Sequence, residues 1–193
     1  QPEQGLGSIC FACGMAALSA VFLTLLRAGD HVVSSHFVFG NTNSLFGTLA
    51  GLGVAVDKVD AGSVDRVRDA LRPKTRMVFV ETIANPGTQV PDLEAIGALC
   101  RERGLLYVVD NTITSPALFR PRSVGAGLVA NSLRKTIPGH GAGLGGAVTD
   151  TGAFDWGAYP NIAASYRGLD PRQWGLQQIR KKGLRDMGGT LAP

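Results

Sequence analysis

Three apolar runs in this chain each end in polar side chains of different chemistry. After run 77–80 come Glu81, Thr82 and then Asn85, Pro86 and Gly87. After run 105–109 come Asp110, Asn111 and Thr112, and after run 127–131 come Ser132, Arg134 and Lys135. If each run is a strand, an amide, a carboxylate and an amine arrive at one edge. A lone Asp at such a place is ordinarily a turn or cap residue, but three endings in series are harder to dismiss. A Lys among small and apolar residues, near Asp, Asn and Ser, suits a Schiff-base amine. An Asp at a strand end can pair with a pyridinium nitrogen, as pyridoxal 5′-phosphate (PLP) chemistry requires. Glycines around a helix start at Gly14 add a potential anion site, since the first helical N–H groups lack intrahelical partners.

The elements that must position these groups follow from the hydrophobic pattern. Met15, Leu18, Phe22 and Leu25 fall on one helical face, stopped by Ala28, Gly29 and Asp30. Strands are predicted at 31–34 and 54–59, with a helix at 41–51 between them. Ser63 reads as the N-cap of a helix carrying Val64, Val67 and Leu71, which Pro73 ends. The run 77–80 is a candidate buried strand. Asp92 can cap a helix holding Leu93, Ile96, Leu99 and Cys100, which Gly104 ends, before a strand at 105–109. Further strands are predicted at 127–131 and 144–149, and a helix at 171–187 with Trp174, Ile179 and Leu184 partly buried. Strands alternating with helices imply an α/β fold with a mainly parallel sheet between two helical layers. In such sheets ligands bind beyond the carboxyl ends of the strands.

Composition removes several classes. The chain has 193 residues, 45% of them hydrophobic and 18% charged, so it can bury a core and is not a disordered tail. Its 26 glycines follow no collagen period. A net charge of +4 without a dense basic block gives no reason to expect nucleic acid. The basic residues Arg180, Lys181, Lys182 and Arg185 read first as a solvated helix face. Three cysteines, Cys10, Cys13 and Cys100, make no disulfide framework and fit a reducing, cytoplasmic setting. The three histidines show no metal-binding spacing. The uncharged stretch 4–26 reads as a strand or turn feeding a buried helix, rather than a membrane span or a signal peptide.

The order of motifs resembles the Cys/Met-metabolism (transsulfuration) family of PLP-dependent enzymes. The matching pieces are Cys13-Gly14-Met15-Ala16-Ala17, Ala28-Gly29-Asp30-His31-Val32, Phe39-Gly40-Asn41-Thr42, Val80-Glu81-Thr82 with Asn85-Pro86, Val108-Val109-Asp110-Asn111-Thr112, and Ser132-Leu133-Arg134-Lys135 with Gly139-His140-Gly141. The resemblance implies a three-layer αβα transferase large domain of the aspartate aminotransferase type. Lys135 looks like the lysine that carries PLP, and Asp110 like the carboxylate that keeps the pyridine nitrogen protonated. Asn85 resembles the amide at the ring hydroxyl. The N–H groups of Gly14 and Met15, with the Ser132 hydroxyl, resemble a phosphate cup. The implied chemistry removes the α-proton of an amino-acid substrate and expels its γ-substituent, after which a sulfur nucleophile adds or a keto acid and ammonia leave. Gly139-His140-Gly141, Gly145-Gly146 and the stretch 151–156 look nearer the O-acylhomoserine sulfhydrylase and cystathionine γ-synthase branch, in methionine biosynthesis, than the γ-lyase branch. The family also implies a homotetramer built from dimers. The N-terminal arm and the C-terminal domain of the family are missing, so residues 1–193 read as a fragment of the PLP-binding large domain, not expected to be active alone.

Three positions depart from the family pattern. Phe39 stands where Tyr is usual; it can stack on the cofactor ring but has no proton to give a leaving group. Arg134 stands where Thr helps bind phosphate, and it either pairs with the phosphate or points to solvent. Cys13 stands where Ser or Thr is common, as a thiol at a helix N-terminus or as a small packing residue. A non-catalytic PLP-fold protein is therefore one alternative. Two others fit less well. The run from Gly141 to Gly146 formally contains a dinucleotide-binding glycine pattern, but a strand-like run follows it where a helix is needed. Cys10 and Cys13 sit at redox-motif spacing, which explains none of the later strand endings.

Overall fold

The computed structural model describes residues 3–168 and 170–186. Among them, seven strands form one sheet: β1 (Gly7–Phe11), β2 (His31–Ser35), β3 (Ala55–Val59), β4 (Thr75–Glu81), β5 (Leu106–Asp110), β6 (Leu128–Ser132) and β7 (Gly146–Asp150). Their spatial order is β1-β7-β6-β5-β4-β2-β3. The five strands from β6 to β3 run parallel. Strand β7 runs antiparallel to both of its neighbours, β1 and β6. The sheet is therefore mainly parallel, as the alternating pattern implied.

Side-chain alternation splits the core into two sides. Met77 and Phe79 of β4, with Leu106 and Val108 of β5, belong to one cluster; Val78, Val80, Tyr107 and Val109 belong to the other. Helix α1 (Gly14–Leu25) covers the first side with Ala17, Leu18, Val21, Phe22 and Leu25. Phe22 meets Phe79 and the Phe46 ring of α2 (Gly40–Gly51) edge to face, each at 5.5 Å between centroids. Fully burying each such ring stabilises the fold by about 2–3 kcal/mol. The second side is covered by Val67 of α3 (Val64–Asp69) and by Ile96 and Leu99 of α4 (Leu93–Arg103). The result is three layers, helix, sheet and helix.

Local signals end several of these elements where expected. Asp92 Oδ1 accepts the Ala95 N–H at 3.2 Å, and Gly104 ends α4 at φ +62°, a left-handed conformation that favours glycine. The N-terminal run becomes β1, a tight turn and the twelve-residue α1. Among the described residues no helix is long and apolar enough to cross a membrane.

Three predicted elements differ. Helix α3 stops at Asp69 and leaves Leu71 outside, because the chain must turn: the Thr75 hydroxyl accepts the Arg72 N–H at 2.7 Å as β4 begins. Strand β7 starts at Gly146, not at 144, and Leu144 is exposed in the preceding loop. The segment predicted as one helix over 171–187 is a short 3₁₀ turn, then α5 (Trp174–Arg180), then a wider π-type winding over Lys181–Asp186. In that winding a Cβ added at Gly183 would lie 3.3 Å from Thr24 Cγ2, so the backbone runs close against α1. Met187 lies outside the described residues. Ile179 is fully buried, while Trp174 and Leu184 are partly buried against the core.

Candidate active site

Register brings the strand endings together. Glu81 is the Cα partner of Asp110, Asp110 of Ala130, and Ser132 of Gly146. Beyond these ends lies a cleft of about 300 Å³, of the size that takes a small ligand. Lys135, Asp110, Asn85 and Phe39 line it, and so do Gly14, Met15, Ser132 and Arg134. All eight residues singled out in the sequence thus meet at one place. A larger, more open cavity of about 570 Å³ lies beside Pro116–Ser123 and holds none of the eight.

Each residue is delivered by a simple device. Gly14 opens α1, whose first turn has no acidic residue. A Cβ at Gly14 would fall 2.7 Å from Ser132 Cβ, so only glycine lets the helix start approach the end of β6 this closely. Gly146 approaches from the other side, where a Cβ would lie 2.1 Å from the Cys13 carbonyl oxygen. Cys13 is the N-cap of α1, and its Sγ accepts the Ala16 N–H at 3.4 Å. It is half-buried and lines the cleft, so it does both packing and capping work. Cys10 is a free, exposed thiol on β1. The glycine run 141–146 leads into β7 rather than a helix, which removes the dinucleotide reading. Lys135 and Arg134 are both exposed in the turn after β6, and both reach the cleft wall.

The carboxylates are held by short networks. Asp110 Oδ1 accepts the Thr112 N–H at 2.9 Å and the Thr112 hydroxyl at 2.5 Å. Burial raises the Asp110 carboxyl from its ordinary value, and the two Thr112 donors oppose that rise. Glu81 is buried at the end of β4 and its Oε1 accepts the Phe39 N–H at 2.6 Å. Burial pushes Glu81 up to about 7; the Phe39 and Asn85 N–H groups hold it down, and the negative charge of Asp110 pushes it further up.

Sequence reasoning underweighted Thr112, Asn41 and Thr42, which also line the cleft. Thr112 follows Asp110 in the strand-end series, so its place was available from spacing. Asn41 and Thr42 come from the first turn of α2, whose direction toward the cleft depends on packing and not on local pattern.

The molecule is a three-layer α/β chain with its reactive side chains gathered at the carboxyl edge of a parallel sheet. The chain belongs to the Cys/Met metabolism family of PLP-dependent enzymes, whose family model matches residues 2–193. It is 36% identical over 193 residues to the canavanine γ-lyase of Rhizobium leguminosarum bv. trifolii, covering 99% of this chain and 43% of that protein. It is 36% identical over 206 residues to the O-acetyl-L-homoserine sulfhydrylase of Corynebacterium glutamicum, covering 98% of this chain and 47% of that protein. A solved O-acetylhomoserine sulfhydrylase from Wolinella succinogenes superposes with a TM-score of 0.88 at 37% identity, covering all of this chain and 55% of that one. The chain spans less than half the length of these two curated relatives.

The cleft fits the family's cofactor. Gly14 leaves room where a side chain would close the gap to Ser132. The half-buried Asp110 carboxyl, raised by burial, is a place where a positively charged ring nitrogen would be welcome.

Proposed function

We propose that this chain forms most of the PLP-binding large domain of an O-acylhomoserine sulfhydrylase or cystathionine γ-synthase type enzyme, replacing the γ-acyloxy group with a sulfur nucleophile. When bound, PLP supplies the electron sink for the carbanion at the substrate's α-carbon. Lys135 would hold the cofactor and supply the amine that takes the substrate's α-proton. Asp110 would favour a protonated ring nitrogen, with Thr112 fixing its carboxylate. The Asn85 amide would hold the ring hydroxyl, and the Phe39 ring would pack on the cofactor. Gly14 and Met15 N–H groups, the Ser132 hydroxyl and the Arg134 guanidinium would hold the phosphate.

Phe39 carries the choice of substrate. It lines the cleft without a proton to donate. An acyloxy group departs as a carboxylate, a weak base with a pKa of about 4, and needs no acid. A thiolate, with a pKa of roughly 8.5, gains much more from one. The relatives named O-acetyl-L-homoserine sulfhydrylase support the same substrate class. A γ-lyase is the second reading, favoured by the canavanine γ-lyase relative. A cytoplasmic location and a homotetramer built from two dimers complete the proposal, the first supported by the free cysteines and the second by what the family resemblance implies.

The test is an assay of the full-length protein with O-acetylhomoserine, O-succinylhomoserine, cystathionine and canavanine, with and without sulfide. Sulfide-dependent turnover of an O-acyl ester is expected. Turnover of cystathionine or canavanine alone would select the lyase reading.

A further inference from the structure

A buried carboxyl stands just behind the cleft wall. Glu81 does not line the cleft, yet its Oε1 takes the backbone N–H of Phe39 at 2.6 Å, and the Asn85 N–H lies near enough to favour its charged form. Those two residues do line it, one from the start of α2 and one from the loop after β4. Neither sits in regular structure that would fix its N–H: Phe39 is the N-cap of α2 and has no side-chain cap bond of its own. Glu81 is only 6% exposed and is the register partner of Asp110. One carboxylate therefore ties the start of α2 to the end of the central strand.

We propose that Glu81 is a positioning residue, which sets the placement of Phe39 relative to Asp110 through its backbone N–H and so controls how tightly the cleft grips a flat aromatic cofactor. This deepens the PLP reading and rests on it for the nature of the cofactor. Charged acceptors make stronger bonds to N–H than neutral ones. Since burial places Glu81 near pH 7, the grip tightens as pH rises from 6 to 8 and loosens as it falls. On β5, packed beside it, Asp110 is the group whose charge acts on Glu81. The loop from Thr82 to Gln89 carries no charge. Cys13 after β1, His36 after β2, Asp60 after β3, and Arg134 and Lys135 after β6 are further titratable or charged groups on the same strand-end edge. A substitution at Glu81 separates its titration from theirs.

Amide hydrogen exchange on the full-length apoprotein tests the clamp. Corrected for intrinsic exchange, protection of the Phe39 amide is expected to fall roughly fivefold from pH 8 to pH 6, while that of Val108 in mid-sheet stays constant. In Glu81→Gln the Phe39 amide should be poorly protected at either pH, and the dissociation constant for PLP should rise roughly tenfold and lose the part of its pH dependence centred near 7. If the variant does not fold, the wild-type exchange profile alone decides. Protection independent of pH in the wild type overturns the proposal. So does a Glu81→Gln protein that loses protection yet binds PLP as well as the wild type, since the clamp would then be structural only. Failure of the wild type to bind PLP overturns the cofactor reading instead, and leaves the exchange result to judge the clamp.

Discussion

Thr112 serves Asp110 and is itself put to use by its neighbour: its hydroxyl donates to Asp110 Oδ1 at 2.5 Å and accepts the Ser132 N–H at 2.8 Å. One hydroxyl thus joins the carboxylate at the end of β5 to the hydroxyl-bearing end of β6. The two ends of the proposed cofactor, ring nitrogen and phosphate, would be gripped by groups that share this hinge.

Thr112→Val keeps the shape and removes the hydroxyl. It leaves the Ser132 N–H without its acceptor and strips one donor from Asp110, at a cost of about 1–3 kcal/mol. PLP should bind at least roughly tenfold more weakly, and Thr112→Ser should restore most of the loss. Titration of the apoprotein followed by absorbance checks this. Affinity within twofold of the wild type for the valine variant would remove Thr112 from the site.

Gly14→Ala puts a Cβ 2.7 Å from that of Ser132. The helix start must back away, costing about 1–3 kcal/mol of overpacking strain. Because the displaced N–H groups face the phosphate in the proposed site, the preference for PLP over unphosphorylated pyridoxal should shrink. Comparing the two dissociation constants in wild type and variant measures it; an unchanged ratio would move the phosphate elsewhere.

Asp150 gives a stability prediction that needs no cofactor. It is 1% exposed, with Oδ2 accepting the Trp156 Nε1–H at 2.7 Å and Oδ1 the Gly152 N–H at 2.8 Å. Burial pushes it up to about 6, despite these donors. The folded value lies above the unfolded value of about 3.9. Its contribution to stability is therefore fully present below pH ~4 and is lost as pH rises toward 6, by about 3 kcal/mol in all. Asp150→Asn cannot ionise. The unfolding free energy of the wild-type apoprotein minus that of the variant should drop by about that amount between pH 4 and pH 7, measured by urea denaturation. A constant difference would show that Asp150 titrates normally.

Phe39→Tyr adds an acid beside the leaving group. Elimination from a thioether such as cystathionine should quicken roughly tenfold or more, while turnover of an O-acyl ester should change little. Steady-state rates on both substrates decide it. An unchanged or slower thioether rate would argue that another group already supplies the proton.

Much of this fold is legible in the sequence itself. Alternation of apolar runs gave the parallel layers, because fully buried strands must be continuously apolar. The strand-end residues were legible for the same reason: Asp110 and Lys135 are polar interruptions at points where the runs stop. Winding was less legible. The wide turn over Lys181–Asp186 and the early stop of α3 are set by contact with Thr24 and by the turn into β4, and neither leaves a local mark. Glu81 was legible as a strand ending, but its hold on Phe39 links positions that only the sheet brings together.

The meeting of Gly14 with Ser132, and of Gly146 with Cys13, also sets an order of events during synthesis. A helix start made near the beginning of the chain must wait for β6 and β7 before its neighbours exist. Contacts between such distant parts of a chain form slowly, since a long loop must close first. The sheet centre around β2, β4 and β5 has its partners earlier. The cofactor-binding edge is thus completed later than the sheet centre, and a ribosome-bound chain lacking β7 would present α1 and β6 without the strand that joins their edge to β1.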